Sequence, residues 1–99
     1  MTRPGDIVER ADATGLLVMV VSNWAHIQAE TGRVLACPFI AGDLRDDSAF
    51  VVQIPAPEGI VLPELVHWLP ISALGKYLGT AEATKVAETA RLVTALIAP

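Results

Sequence analysis

Few residues in this chain can move a proton or hold a developing negative charge near neutral pH. The imidazoles are His26 and His67, and the cations are Arg3, Arg10, Arg33, Arg45, Lys76, Lys85 and Arg91. Imidazole, as a residue type, titrates near neutrality and serves as acid or base. A guanidinium presents a fork of donors that fits carboxylates and phosphates. The chemistry on offer is therefore proton transfer beside a cation. Ser22, His26 and Asp43 can be set out on paper as a hydrolytic triad, but no nucleophile elbow with flanking glycines is present, and Ser22-Asn23 is better explained as a strand end and a helix cap. Cys37 is the only cysteine, so no internal disulfide is expected. It has no Cys or His neighbours at ligand spacing, so neither a metal nor another cofactor is expected. Flanked by Ala36 and Pro38, it reads as a small core residue.

Seven Lys and Arg against eleven Asp and Glu give a formal charge of −4. Affinity for nucleic acid comes largely from neutralising phosphates, so this balance argues against strong non-specific binding of RNA or DNA, while leaving room for a local basic groove. With 99 residues, 53% of them hydrophobic and 18% charged, the chain is expected to close one core as a single domain spanning 1–99. Its apolar content exceeds what one small core covers, so a homodimer is expected. The longest apolar run, Leu16 to Val21, is far shorter than the roughly 20 residues a membrane span needs. "MTRPGDIVER" carries charges where a signal peptide has its apolar core. A soluble cytoplasmic protein with no membrane partner is the expectation.

The elements that must position these groups follow from periodicity. "DIVERAD" suits a short, partly exposed strand, "ATG" a turn, and "LLVMVVS", apolar on both faces, a central strand covered twice. Asn23 to Glu30 can form one or two helical turns with Ser22 or Asn23 as N-cap and Gly32 as the stop. Trp24, Ile27 and Gln28 fall on one side of it, which would lie on the sheet. "RVLACPFI" is the next strand, "AGDLRDD" a charged loop, "SAFVVQIP" another strand and "APEG" a turn. "IVLPELVHWLPI" gives two extended pieces interrupted by Pro63 and ended by Pro70, since proline cannot donate to a central ladder. "SALG" reads as a tight turn and "KYLGT" as a last strand. From Ala81 the apolar residues Val86, Ala90, Val93 and Ile97 recur at helical spacing, with Thr80 as cap and Glu82–Lys85 and Glu88–Arg91 paired outside. The sum is an α+β fold: five or six strands in a small, strongly bent antiparallel sheet or barrel, a short helix after strand 2 and a C-terminal helix.

Here the residues resemble a family. "GDIV" at Gly5 to Val8, "LVMVVSN" at Leu17 to Asn23, a helical insert followed by "TGRVLACPFI" at Thr31 to Ile40, "VLPELVHWL" at Val61 to Leu69 and "LG" at Leu78-Gly79 look like the PemK/MazF toxins of type II toxin-antitoxin modules, nearest a divergent actinobacterial type. The resemblance implies an SH3-like barrel of the MazF/CcdB kind, a homodimer, and a cognate antitoxin whose tail lies along the dimer surface. It also implies a growth-inhibiting, sequence-specific endoribonuclease. Ribonucleolytic members carry an Arg or Lys followed by Pro before the second strand, where this chain has Ala13 to Leu17. They carry Thr or Ser after the Pro that ends the third strand, where this chain has Phe39, Ile40 and Ala41. Neither functional residue carries over. The gyrase-poisoning CcdB proteins act through an aromatic C-terminal tip, whereas this chain ends "TALIAP" with no aromatic after Tyr77.

RNA cleavage by an internal 2′-hydroxyl needs a proton acceptor, a proton donor and a cation for the phosphorane. With the family Arg missing, Arg10 is the nearest substitute and His26 the expected proton carrier, without a metal. Arg33, Arg45 and His67, with the aromatics Trp24 and Trp68, are expected to line an RNA or antitoxin groove. Two other outcomes stay open: a non-catalytic toxin that binds a protein target such as DNA gyrase, and a degenerate copy that only binds its antitoxin.

Overall fold

In the computed structural model, which describes residues 1–99, the apolar runs form seven antiparallel strands and two helices. In chain order these are β1 (Asp6–Arg10), β2 (Leu17–Val20), α1 (Trp24–Gln28), β3 (Arg33–Ala41), β4 (Val52–Pro55), β5 (Glu58–Val61), β6 (His67–Pro70), β7 (Leu74–Thr80) and α2 (Ala83–Ile97). Two single 3-10 turns, Pro63–Leu65 and Ile71–Ala73, flank β6. The sheet order is β4-β5-β3-β2-β1-β7, and β6 also pairs with β3.

The nine-residue β3 is the spine. One of its edges pairs with β2, from Leu17↔Phe39 to Val20↔Ala36. Its other edge is divided: β5 takes Phe39 to Ala41, and β6 takes Arg33 to Ala36. Serving two partners on one edge bends the sheet, and both faces become buried. Successive strand residues point to opposite faces, so Ile7, Met19 and Cys37 enter one cluster with Phe39, Ile54 and Val61, covered by Val86, Leu92 and Val93 of α2. Val8, Val18 and Ala36 enter a second cluster with Leu69 and Ala73. Each large aliphatic side chain so buried contributes about 1.5–3 kcal/mol. This is why Leu17–Val20 is apolar at every position.

Gly59 holds the spine and β5 together. A Cβ there would run into the Ile40 carbonyl oxygen and lie 2.5 Å from Phe39 Cζ, so only glycine lets the two strands meet at Ala41↔Gly59.

Several sequence expectations are corrected. β1 is exposed only toward its end: Asp6, Ile7 and Val8 are buried, while Glu9 and Arg10 keep part of their surface, and β7 pairs with the edge that β2 leaves free. There are seven strands rather than five or six; β7 begins at Leu74, inside the expected turn, and "SAFVVQIP" is strand only from Val52. Asn23 is the cap of α1, its side chain accepting from the His26 N–H at 2.9 Å, and no residue of α1 is buried. Glu82, not Thr80, is the N-cap of α2; the Thr80 hydroxyl is used on Asp6. The buried row of α2 centres on Thr89, not on Ala90 and Ile97. A threonine fits there because its hydroxyl donates to the Lys85 carbonyl at 2.9 Å, so nothing polar is left unpaired. Lys85 pairs with Glu88 at 3.7 Å. No helix is long and apolar enough to cross a membrane.

Candidate functional site

A cleft of about 580 Å³ opens on the sheet face that carries Val18, at the end where the β1–β2 turn meets the C-terminal half of β3. Gly15 to Val18 form one wall and Pro38 to Ala41 the other. The register pairs Leu17↔Phe39 and Val18↔Pro38 bring these segments side by side. They are the two segments at which the resemblance called for Arg or Lys and for Thr or Ser. The apolar walls therefore enclose the position that those groups would occupy, and the polar side chains of the cleft are Arg10 and His67.

Arg10 ends β1, its N–H donating to the Leu16 carbonyl at 2.8 Å. Its Nε and one terminal nitrogen donate to Asp12 at 2.8 and 2.7 Å, a two-pronged grip from the adjacent turn. These hydrogen bonds hold the Asp12 carboxyl below the usual carboxylate range and push the Arg10 guanidinium up. The cation at the cleft is thus fixed in place and already facing an anion.

His67 is placed by β6, whose pairing Ala36↔His67 puts the ring on the Ala36 side of the sheet. Its Nδ1 lies 3.0 Å from the Leu65 carbonyl oxygen, which can only accept, so Nδ1 bears the proton. Nε2 is then the basic nitrogen. It is buried and meets no hydrogen-bond partner within the protein, which is uncommon for a buried polar atom. An imidazole and a guanidinium line this one cleft, the residue types that move a proton and stabilise charge on a phosphate.

The other sequence-selected residues lie elsewhere. His26 does not join Arg10. It follows the C-terminal end of β2 while Arg10 lies at the start, about 20 Å away along the strand from Leu16 to Ser22 at ~3.3 Å per residue. The buried Ser22 hydroxyl accepts from the Leu35 N–H at 2.7 Å and meets His26 Nδ1 at 2.7 Å, so His26 ties α1 to β3. Arg33 stacks over the Trp68 ring at 5.8 Å, and Trp68, paired with Leu35, faces away from the cleft. Trp24 borders an apolar groove of about 430 Å³ beside Val86 and Ala90 of α2. Arg45 stands on an exposed loop 4.0 Å from Asp43. Cys37 is buried, and burial pushes its thiol up to about 12.

Sequence reasoning missed one polar cluster, in which Arg3 and Asp6 meet Tyr77 and Thr80. Its members are more than seventy residues apart, and the one clue was a carboxylate at the start of a strand whose next two residues are apolar. No group of three or more His, Cys, Asp and Glu side chains converges as a metal site.

Residues 5–96 match the family model described as type II toxin-antitoxin system toxin Rv0299. The chain is 48% identical to toxin Rv0299 of Mycobacterium tuberculosis (strain ATCC 25618 / H37Rv) over 99 residues, 98% of this chain and 99% of that protein. Among solved structures it is similar to a MazE-MazF crystal structure from Deinococcus radiodurans, with TM-score 0.79 and 26% identity over 99% of this chain and 97% of that one. It also shares its fold with an endoribonuclease in complex with its cognate antitoxin from Mycobacterial species, with TM-score 0.79 and 21% identity over 100% and 98% of the two chains.

Proposed function

This chain belongs to the type II toxin-antitoxin system toxin Rv0299 family, and on that premise we propose that it is a growth-inhibiting, sequence-specific endoribonuclease whose site is the cleft of Arg10 and His67. The observation that carries the reading is the meeting of a fixed guanidinium and an imidazole on one cleft, the imidazole keeping a nitrogen that no protein group occupies and that a turn of the ring brings to the cleft. His67 Nε2 takes the proton of a ribose 2′-hydroxyl. The 2′-oxygen then attacks the adjacent phosphorus, forming a 2′-O–P bond as the P–O5′ bond breaks. A 2′,3′-cyclic phosphate and a 5′-hydroxyl result, the leaving oxygen taking its proton from solvent. Arg10 offers the donors that Asp12 leaves free to the phosphorane, whose extra charge is the feature that separates transition state from ground state. His26 has no role in this scheme and serves the joint between β2, α1 and β3.

Residues 1–99 act as one toxin domain in the cytoplasm. The partner is a cognate antitoxin, as in the solved complex of an endoribonuclease with its cognate antitoxin from Mycobacterial species. Trp24 and Trp68, 45% and 60% exposed, anchor it through apolar contacts. The many exposed large apolar residues, among them Leu16, Leu65 and Ile97, support a homodimer; sedimentation at micromolar concentration should give twice the 10.5 kDa chain mass, and a monomer would refute that point.

Inducing the gene without its antitoxin tests the function. Fragmented RNA with unchanged plasmid supercoiling is the expected result. Intact RNA with altered supercoiling would move the assignment to a poison of DNA gyrase, and no effect of either kind would leave a copy that binds only its antitoxin.

A further inference from the structure

On the ribonuclease reading, we propose that Arg3 and Tyr77 form a second nucleotide subsite, which receives a base and phosphate of the same RNA strand beyond the nucleotide cut at Arg10. The two residues border a separate cavity of about 430 Å³, with Asp6, Val8 and Leu74 among its walls. Beneath them lies a network in which the protons can be assigned. Asp6 is buried, and its carboxylate accepts from the Arg3 N–H at 2.9 Å and from the Thr80 hydroxyl at 2.8 Å. The Thr80 proton being used, the 2.7 Å contact between Tyr77 and Thr80 is donated by tyrosine. One terminal nitrogen of Arg3 donates to the Tyr77 and Thr80 oxygens at 3.2 and 3.0 Å, and Arg3 Nε lies 3.5 Å from Asp6.

All this polarity fixes two side chains that remain half outside. Arg3 is 49% exposed and Tyr77 53%, with the guanidinium 5.9 Å from the ring centroid. The register pair Asp6↔Thr80 already joins β1 to β7 here, so the side-chain network is not needed to hold the strands. A pre-set cation next to an open aromatic face is how single-stranded nucleic acid is bound without regard to sequence: the base stacks and the phosphate is neutralised. The carboxylate of Asp6, 5% exposed and occupied by Thr80 and the Arg3 N–H, orients Arg3 from beneath.

Placement joins this subsite to the cleft. Asp6, Val8 and Arg10 alternate onto one face of β1, and Leu74, which borders the cavity, is the register partner of Arg10. From Asp6 to Arg10 is ~13 Å at about 3.3 Å per residue. The two sites are therefore near enough for one extended RNA strand to reach both across the outer surface beside Leu74.

The test measures binding of two uncleavable 2′-O-methyl probes, a mixed-sequence oligonucleotide long enough to span both sites and a dinucleotide that reaches only one. Tyr77→Leu should weaken the oligonucleotide about tenfold and leave the dinucleotide unchanged, while Tyr77→Phe, which keeps the ring, should bind like the wild type. Arg3→Gln should reduce the slope of log affinity against log salt by about 0.7, the value for one phosphate contact on a single strand. Thermal unfolding of each variant separates these effects from loss of fold. Arg10-dependent binding that ignores Tyr77 and Arg3 would overturn the subsite alone. Absence of any binding by the wild type would overturn the ribonuclease reading with it.

Discussion

Replacing Arg10 by alanine should slow RNA cleavage by about two orders of magnitude. Of the five donors of a guanidinium, two are taken by Asp12, at 2.8 and 2.7 Å, leaving three for a phosphate without breaking that grip. The Arg10 side chain is only 25% exposed, so its charge acts in partly excluded water. Deleting one preorganised transition-state stabiliser of this kind typically costs about 10²-fold or more, some 2.7 kcal/mol. The fold should survive, because the partner left behind, Asp12, is 51% exposed and can be solvated. The assay is single-turnover cleavage of total RNA, with thermal unfolding measured on the same preparations. Arg91→Ala, on the exposed side of α2, is the control and should cleave like the wild type. Asp12→Asn should act oppositely, tightening RNA binding a few-fold, because the carboxylate offsets part of the Arg10 charge that a phosphate would meet. With its carboxyl held below the usual range, Asp12 stays ionised at neutral and mildly acidic pH. The small stability its pairing adds is present there and is lost only as pH falls through that lowered value. Equal rates for Arg10→Ala and Arg91→Ala would refute the assignment of the cation.

His67→Gln should lower the cleavage rate by two to four orders of magnitude, the usual range for a general base, with unfolding unchanged; a wild-type rate would remove Nε2 from the mechanism. Trp24→Ala and Trp68→Ala should each weaken antitoxin binding about tenfold. Because the toxin is acidic, affinity should change little between low and high salt, and a steep loss with salt, measured by titration calorimetry, would contradict the apolar anchoring. Cys37 should be unreactive toward thiol reagents at pH 8 until the chain is unfolded. Since burial raises its folded value from 9.0 to about 12, stability should be unaffected below pH 9 and decline above it, where the unfolded thiol ionises first; a reactive thiol in the folded protein would count against its burial.

What the sequence discloses here is local. The unbroken apolar character of Leu17 to Val20, the cap at Ser22 or Asn23, and the prolines at 63 and 70 mark β2, the start of α1, the break after β5 and the end of β6 because each acts on its own stretch of backbone. The second edge of β1 was not legible, since the β7 that covers it comes more than sixty residues later. The inward row of α2 was misjudged for a chemical reason: Thr89 is polar by type, but its hydroxyl is satisfied by the turn before it. The cleft was half legible. The sequence paired Arg10 with His26 and left His67 to a groove wall; only the β3 register, with β2 on one edge and β6 on the other, brings His67 to Arg10 and sends His26 and Trp68 elsewhere. Asp12 stands two residues beyond Arg10, so the turn alone brings the pair together. The Arg3–Asp6–Tyr77–Thr80 cluster was not, because nothing in a sequence tells which distant side chains a buried carboxylate will collect.

The most direct measurement is single-turnover cleavage by the purified wild-type protein, in excess chelator, of two oligonucleotides that differ only by a 2′-hydrogen at the scissile nucleotide. Cleavage of the all-ribose strand and none of its 2′-deoxy counterpart is the predicted result. Cleavage of both strands at the same position would contradict attack by the substrate's own hydroxyl, and with it the roles given to His67 and Arg10.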